Sequence, residues 1–138
     1  MQKDPRYPIG KFDHNITVTK EMRSDFIKTI ETIPSQLKKE VENLSEQQLN
    51  TPYRDGGWTV RQVIHHLPDS HINSYVRFKL ALTEDNPQIK TYEEHLWSEL
   101  QDTFNTPIEV SLNLLESLHK RWVILLNSLT DEQFEKTF

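Results

Sequence analysis

Three histidines, two arginines and a proline share the stretch WTVRQVIHHLPDSHINSYVRFK, from Trp58 to Lys79. Imidazole is the side chain best suited to bind a transition metal or to exchange a proton near neutral pH. On a helix turning about 100° per residue, Val60, Val63, Ile64, Leu67, Ser74 and Phe78 make the apolar face, and His71 falls near its middle. His66 lies on the edge of that face, and His65 is turned away from both. No two of these histidines are three or four residues apart, so this helix alone cannot present two imidazoles to one ion. It can offer one ligand to a site completed by another helix, as bundle cores do.

A second pattern runs beside the first. His66, Ser70, Asn73 and Arg77 recur at intervals of four, three and four residues, a continuous polar stripe along the apolar one. A solvated face would tolerate these residues, but burying such groups without partners costs about 1 to 3 kcal/mol each, and a polar cleft between helices accounts for the stripe. Pro68 removes a helical hydrogen bond to the carbonyl of Ile64, at a cost of about 3 kcal/mol. Either the helix kinks over 64–68, or His65 and His66 occupy a looser first segment. His119 reads as a core histidine bonded to a neighbour, while His14 and His95 read as surface or loop residues. The chain has no HExxH, GxSxG, P-loop or glycine-rich dinucleotide pattern, so serine-nucleophile and phosphate-transfer mechanisms have no support.

The elements that position these residues are helices. Met22, Phe26, Ile30, Ile33, Leu37, Val41 and Leu44 step by three or four, the period of an amphipathic helix with Thr19 as N-cap. Pro34 falls within the series without resetting its phase, which predicts one kinked helix. Thr59 and Gln62 form a capping box for the histidine helix, which should reach about Leu82. The preceding Asp55-Gly56-Gly57 supplies the turn, with both glycines free to take positive φ. A short helix over Tyr92 to Leu100 should pack Trp97 and Leu100 inward. Thr106 as N-cap and Pro107 at the first helical position start the third long helix, whose buried stripe should be Val110, Leu114, Leu118, Leu125 and Leu129, with Trp122 alongside. NLSEQQLNTPY (43–53) and SLTDEQFEKTF (128–138) share a Leu, a Ser or Thr cap and a matched Gln48 and Gln133. No β-alternation of useful length occurs, so the fold class is all-α: an up-and-down bundle of long helices with short joins.

Composition narrows the function classes. The 138 residues are sized for a single domain over 1–138. The net charge is −5, with basic residues interleaved among acids, which removes the footprint of a nucleic-acid binder. The chain has no cysteine, so thiol chemistry would need a thiol from outside. The start lacks a signal-peptide core, and the longest aliphatic run, Trp122 to Leu126, is far too short to span a bilayer. A cytoplasmic soluble protein is expected.

YPIGKF (7–12), TPYRDGGWTVRQVIHHLPDSHINSYVRFKLALTEDNP (51–87) and LLESLHKRWVILLNSLT (114–130) together resemble the YfiT-like branch of the DinB superfamily. The resemblance implies a four-helix bundle acting as a metal-dependent hydrolase or as a transferase using a low-molecular-weight thiol such as bacillithiol as co-substrate. It implies a divalent metal held by three histidines, one from the second long helix and two from a late HxxxH segment. Carried onto this chain, the second-helix ligand is His66, and Ser70, Asn73 and Arg77 line the substrate pocket. No residue receives the other two ligands, so the expectation is a member supplying three of the four long helices. Zinc or nickel is expected as the ion, although imidazole ligands suit copper and iron as well. The ion would lower the pKa of a bound water to about 7, and Arg77 would hold an anion of a small-molecule substrate. The rival expectation is a non-catalytic helical module that binds a partner or a second copy of itself, most simply as a homodimer.

Overall fold

The computed structural model describes residues 4–138. Among the described residues seven helices follow one another: α1 (Lys20–Val41), α2 (Glu46–Leu49), α3 (Val60–Thr83), α4 (Glu94–Trp97), α5 (Gln101–Asn105), α6 (Ile108–Asn127) and α7 (Asp131–Phe134). Among the described residues the β-structure is one isolated bridge, between Pro52 and Thr59. No described helix is long and apolar enough to cross a membrane.

The helix starts follow from local chemistry. Thr19 Oγ1 accepts from the Met22 amide at 3.2 Å and so caps α1. Thr59 and Gln62 close a reciprocal capping box on α3, as their spacing requires. The two copies of the internal echo do the same, with Ser45 and Gln48 capping α2 and Thr130 and Gln133 capping α7. In the turn before α3 the two glycines have different reasons. Gly56 takes φ +63°, whereas a Cβ at Gly57 would lie 2.6 Å from Cγ of Arg54. The second glycine therefore answers to close packing and not to positive φ.

Three readings of the elements are corrected. Thr106 does not cap α6: its amide bonds to the carbonyl of Asp102 and ends α5, which leaves Pro107 at the N-cap position of α6 without a side-chain cap. The buried stripe of α6 is Ile108, Leu112, Leu115, His119, Trp122 and Leu126. Val110 and Leu114 are 54% and 45% exposed, so the expected stripe lay to one side of the real one. Trp97 and Leu100 do not pack inward; they are 40% and 55% exposed, because α4 and α5 are one-turn segments on the flank of α3.

α6 is the central strut, packed along both α1 and α3, and Val41 of α1 and Ile64 of α3 share one core cluster with it. Val41, Leu49, Ile64, Ile108 and Leu112 form the core at one end. At the other end Trp122 receives the rings of His71, Tyr75 and Phe78 at 6.2, 6.3 and 5.5 Å, all edge-on. α2 is tied to α3 by Arg61, a buried guanidinium that donates to Glu46 at 2.6 Å and to Asn50 at 3.3 Å. α1 runs unbroken through the buried Pro34 to Val41, and Leu44 packs on the core just after its end.

Candidate functional site

α3 carries the polar stripe, and the structure distributes it over different surroundings. His66 is half-buried, its ring 4.9 Å from that of Trp58 at an interplanar angle of 66°. It lines a cavity of about 420 Å³ with Leu37, Val41, Tyr53, Val60 and Val63, between α1 and α3. Asn73 lines a separate cavity of about 690 Å³, walled by Lys90, Tyr92, Trp97 and Leu100. Its amide also donates to the carbonyl of Asp69 at 2.8 Å. Ser70 and Arg77 are half-buried, and the carbonyl of Ser70 accepts from the Ser74 hydroxyl at 3.1 Å. His66 and Asn73 thus share a helix, and nearly the same face of it, without sharing a cavity, because seven residues set them about 10 Å apart along the helix axis.

One turn beyond His66, Asp69 is half-buried, and its carboxyl is raised above the usual range, first by burial and then by repulsion from Asp102. His65, expected to face away from the core, is buried instead, with Nδ1 2.7 Å from Oγ of Ser111 on α6. Burial, followed by the charge of Arg61, lowers its pKa. The misreading has a physical cause: α3 is covered by α6 on one side and by α4 and α5 on another, so its buried arc is wider than its apolar arc.

Two histidines that composition placed on inner faces meet across the α3–α6 interface. Nδ1 of His71 lies 2.6 Å from Nε2 of His119, and the rings are within 17° of parallel. Nδ1 of His119 reaches the carbonyl of Ile30 on α1 at 2.5 Å. Burial lowers His119, and burial together with the charges of His119 and His66 lowers His71 to about 4. Spacing on one helix could not reveal this pair. Pro34 was the available signal, since it strips the Ile30 carbonyl of its helical donor and calls for another.

A transition-metal centre needs several imidazole, thiolate or carboxylate donors converging on one point. Among the described residues no three His, Cys, Asp or Glu side chains gather closely enough to hold an ion. Among the described residues, the side chains around His66 do not complete a metal centre.

Comparison with known proteins places these features in context. Residues 29–138 match the DinB superfamily. The chain is 58% identical over 135 residues to a protein of Bacillus cereus (strain 03BB102) named "Putative metal-dependent hydrolase", covering 98% of this chain and 78% of the relative. A protein of the same name from Bacillus anthracis (strain A0248) is similar to the same extent. Among solved structures, YfiT from Bacillus subtilis superposes with a TM-score of 0.92 at 52% identity, covering 96% of this chain and 75% of that one. It is described as "a probable metal-dependent hydrolase with an unusual four-helix bundle topology".

Proposed function

Because the chain belongs to the DinB superfamily, we propose that it is a metal-dependent enzyme of the YfiT type, a hydrolase or a thiol transferase, with His66 as one ligand of a divalent ion. The observation that carries this reading is the half-buried His66 ring, held against Trp58 at the edge of an open cavity between α1 and α3. Relatives at 58% identity named as metal-dependent hydrolases support the reaction class. Hydrolysis and thiol transfer differ in the nucleophile, water in one and a thiol such as bacillithiol in the other. The chain has no cysteine, so that thiol would enter as a co-substrate. Ser70 and Arg77 are proposed to meet the substrate alongside His66, with Arg77 holding an anionic group on it. Asn73 is proposed to act from the neighbouring cavity, on a substrate long enough to reach it. Zinc and nickel are the proposed ions, both suited to imidazole.

The test is calorimetric titration of the protein with zinc and with nickel, beside His66→Ala. Loss of at least tenfold in affinity on removing the imidazole is the expected result. Equal affinity in the two proteins would remove His66 from the site.

A second reading, a self-associating module, is favoured by the apolar row on α6. Val110, Leu114 and Ile124 are 54%, 45% and 72% exposed, and exposed apolar side chains of this kind favour association.

A further inference from the structure

The polar network that joins all three long helices takes no part in the proposed metal chemistry, and its hydrogens can be placed one at a time. Pro34 has no N–H, so the Ile30 carbonyl four residues back lacks its helical donor. Nδ1 of His119 fills that place. A carbonyl can only accept, so this Nδ1 carries the hydrogen. Burial keeps the His119 ring neutral near pH 7, which leaves its Nε2 bare. The nitrogen 2.6 Å away, Nδ1 of His71, must then be the donor. His71 is neutral as well, so its own Nε2 is left with a free lone pair. That atom has no hydrogen-bond partner among the described residues and is not sealed from solvent. The ring around it is fixed by stacking on His119 and by the edge contact with Trp122.

We propose that Nε2 of His71 is a ligand-binding atom, a hydrogen-bond acceptor of fixed direction for a neutral molecule bearing an O–H or S–H group. Its tautomer is set from outside the ring: the bond that His119 makes to Ile30 decides which nitrogen of His71 is bare, as partners of metal-ligating or catalytic imidazoles do. Low basicity suits the role, because the ring accepts a hydrogen bond without removing the proton. A carboxylate, which has only lone pairs to offer, is repelled. His119 is the positioning residue and touches no ligand. None of this requires an ion at His66, which lies five residues earlier on a different side of α3.

Nitrogen-15 NMR of the labelled protein at pH 7 tests the assignment directly. The imidazoles of His71 and His119 are expected in the neutral Nδ1–H form, opposite to the Nε2–H form that an unconstrained histidine side chain favours. His119→Phe keeps the ring's bulk and removes its acceptor, so His71 should revert to Nε2–H. His119→Gln, whose amide oxygen still accepts from Nδ1, should preserve the native form. Titration with 2-mercaptoethanol and with ethylene glycol then distinguishes S–H from O–H ligands. A shift of the His71 Nε2 resonance with either, and none with acetate, supports the site and names the donor. An Nε2–H or doubly protonated His71 in the native protein, or no shift with either donor, overturns it. Equal metal affinity in the native protein and His66→Ala, or no metal binding by the native protein, with these resonances as expected, would count against the His66 reading and leave the His71 acceptor standing.

Discussion

At the scale of the residue, the histidines divide by what they touch. His14 and His95 are exposed, His66 edges a cavity, and His65, His71 and His119 are drawn into the helix interfaces. The inner pair makes stability depend on pH. Both rings are held below the ordinary histidine range, His71 at about 4 against 6.5. Between those values the unfolded chain binds protons that the folded one refuses, so stability is fully present above about pH 6.5 and is lost as pH falls toward 4. Asp69 acts in the opposite sense, because its raised carboxyl binds a proton more readily in the folded state. The thermal midpoint should fall between pH 7 and pH 4.5 in the native protein, and fall less in the double variant His71→Phe/His119→Phe. Melting curves at four or five pH values check this; parallel profiles for the two proteins would contradict it.

At the scale of the element, caps and prolines set where helices begin and how they dock. Thr59 caps a helix of 24 residues that packs on α6, so Thr59→Ala should destabilise the whole fold by about 1 kcal/mol. Thr130 makes the same box on α7, which has four residues, none of them buried. Thr130→Ala should leave the global midpoint nearly unchanged, and urea denaturation of both variants separates the two cases. The boxes were legible in the sequence because a capping box is local, needing only a Ser or Thr and a Gln three residues on. The start of α6 was not legible. Thr106 has the composition of an N-cap, but its amide was already committed to α5.

At the scale of the whole molecule, α6 joins α1 to α3 and buries Leu115 completely. Leu115→Ala should cost about 2 to 5 kcal/mol, read as a lower denaturant midpoint at unchanged slope. The opposite side of α6 leaves Val110, Leu114 and Ile124 in contact with solvent. If that row drives pairing, sedimentation should show a concentration-dependent dimer that Val110→Lys/Leu114→Lys abolishes. A monomer at every concentration would exclude the self-association reading.

The sequence by itself determined the all-α class, three long helices, their caps at Thr19 and Thr59, the inward place of His119 and the superfamily. Each of these depends on spacing along one chain or on a local motif. Only the tertiary structure decided that His65 is buried, that Asn73 and His66 open onto different cavities, and that His71 meets His119 beneath a carbonyl freed by Pro34. Those outcomes depend on which sides of a helix its neighbours cover, and a helix packed by several others buries a wider arc than its own apolar pattern reveals.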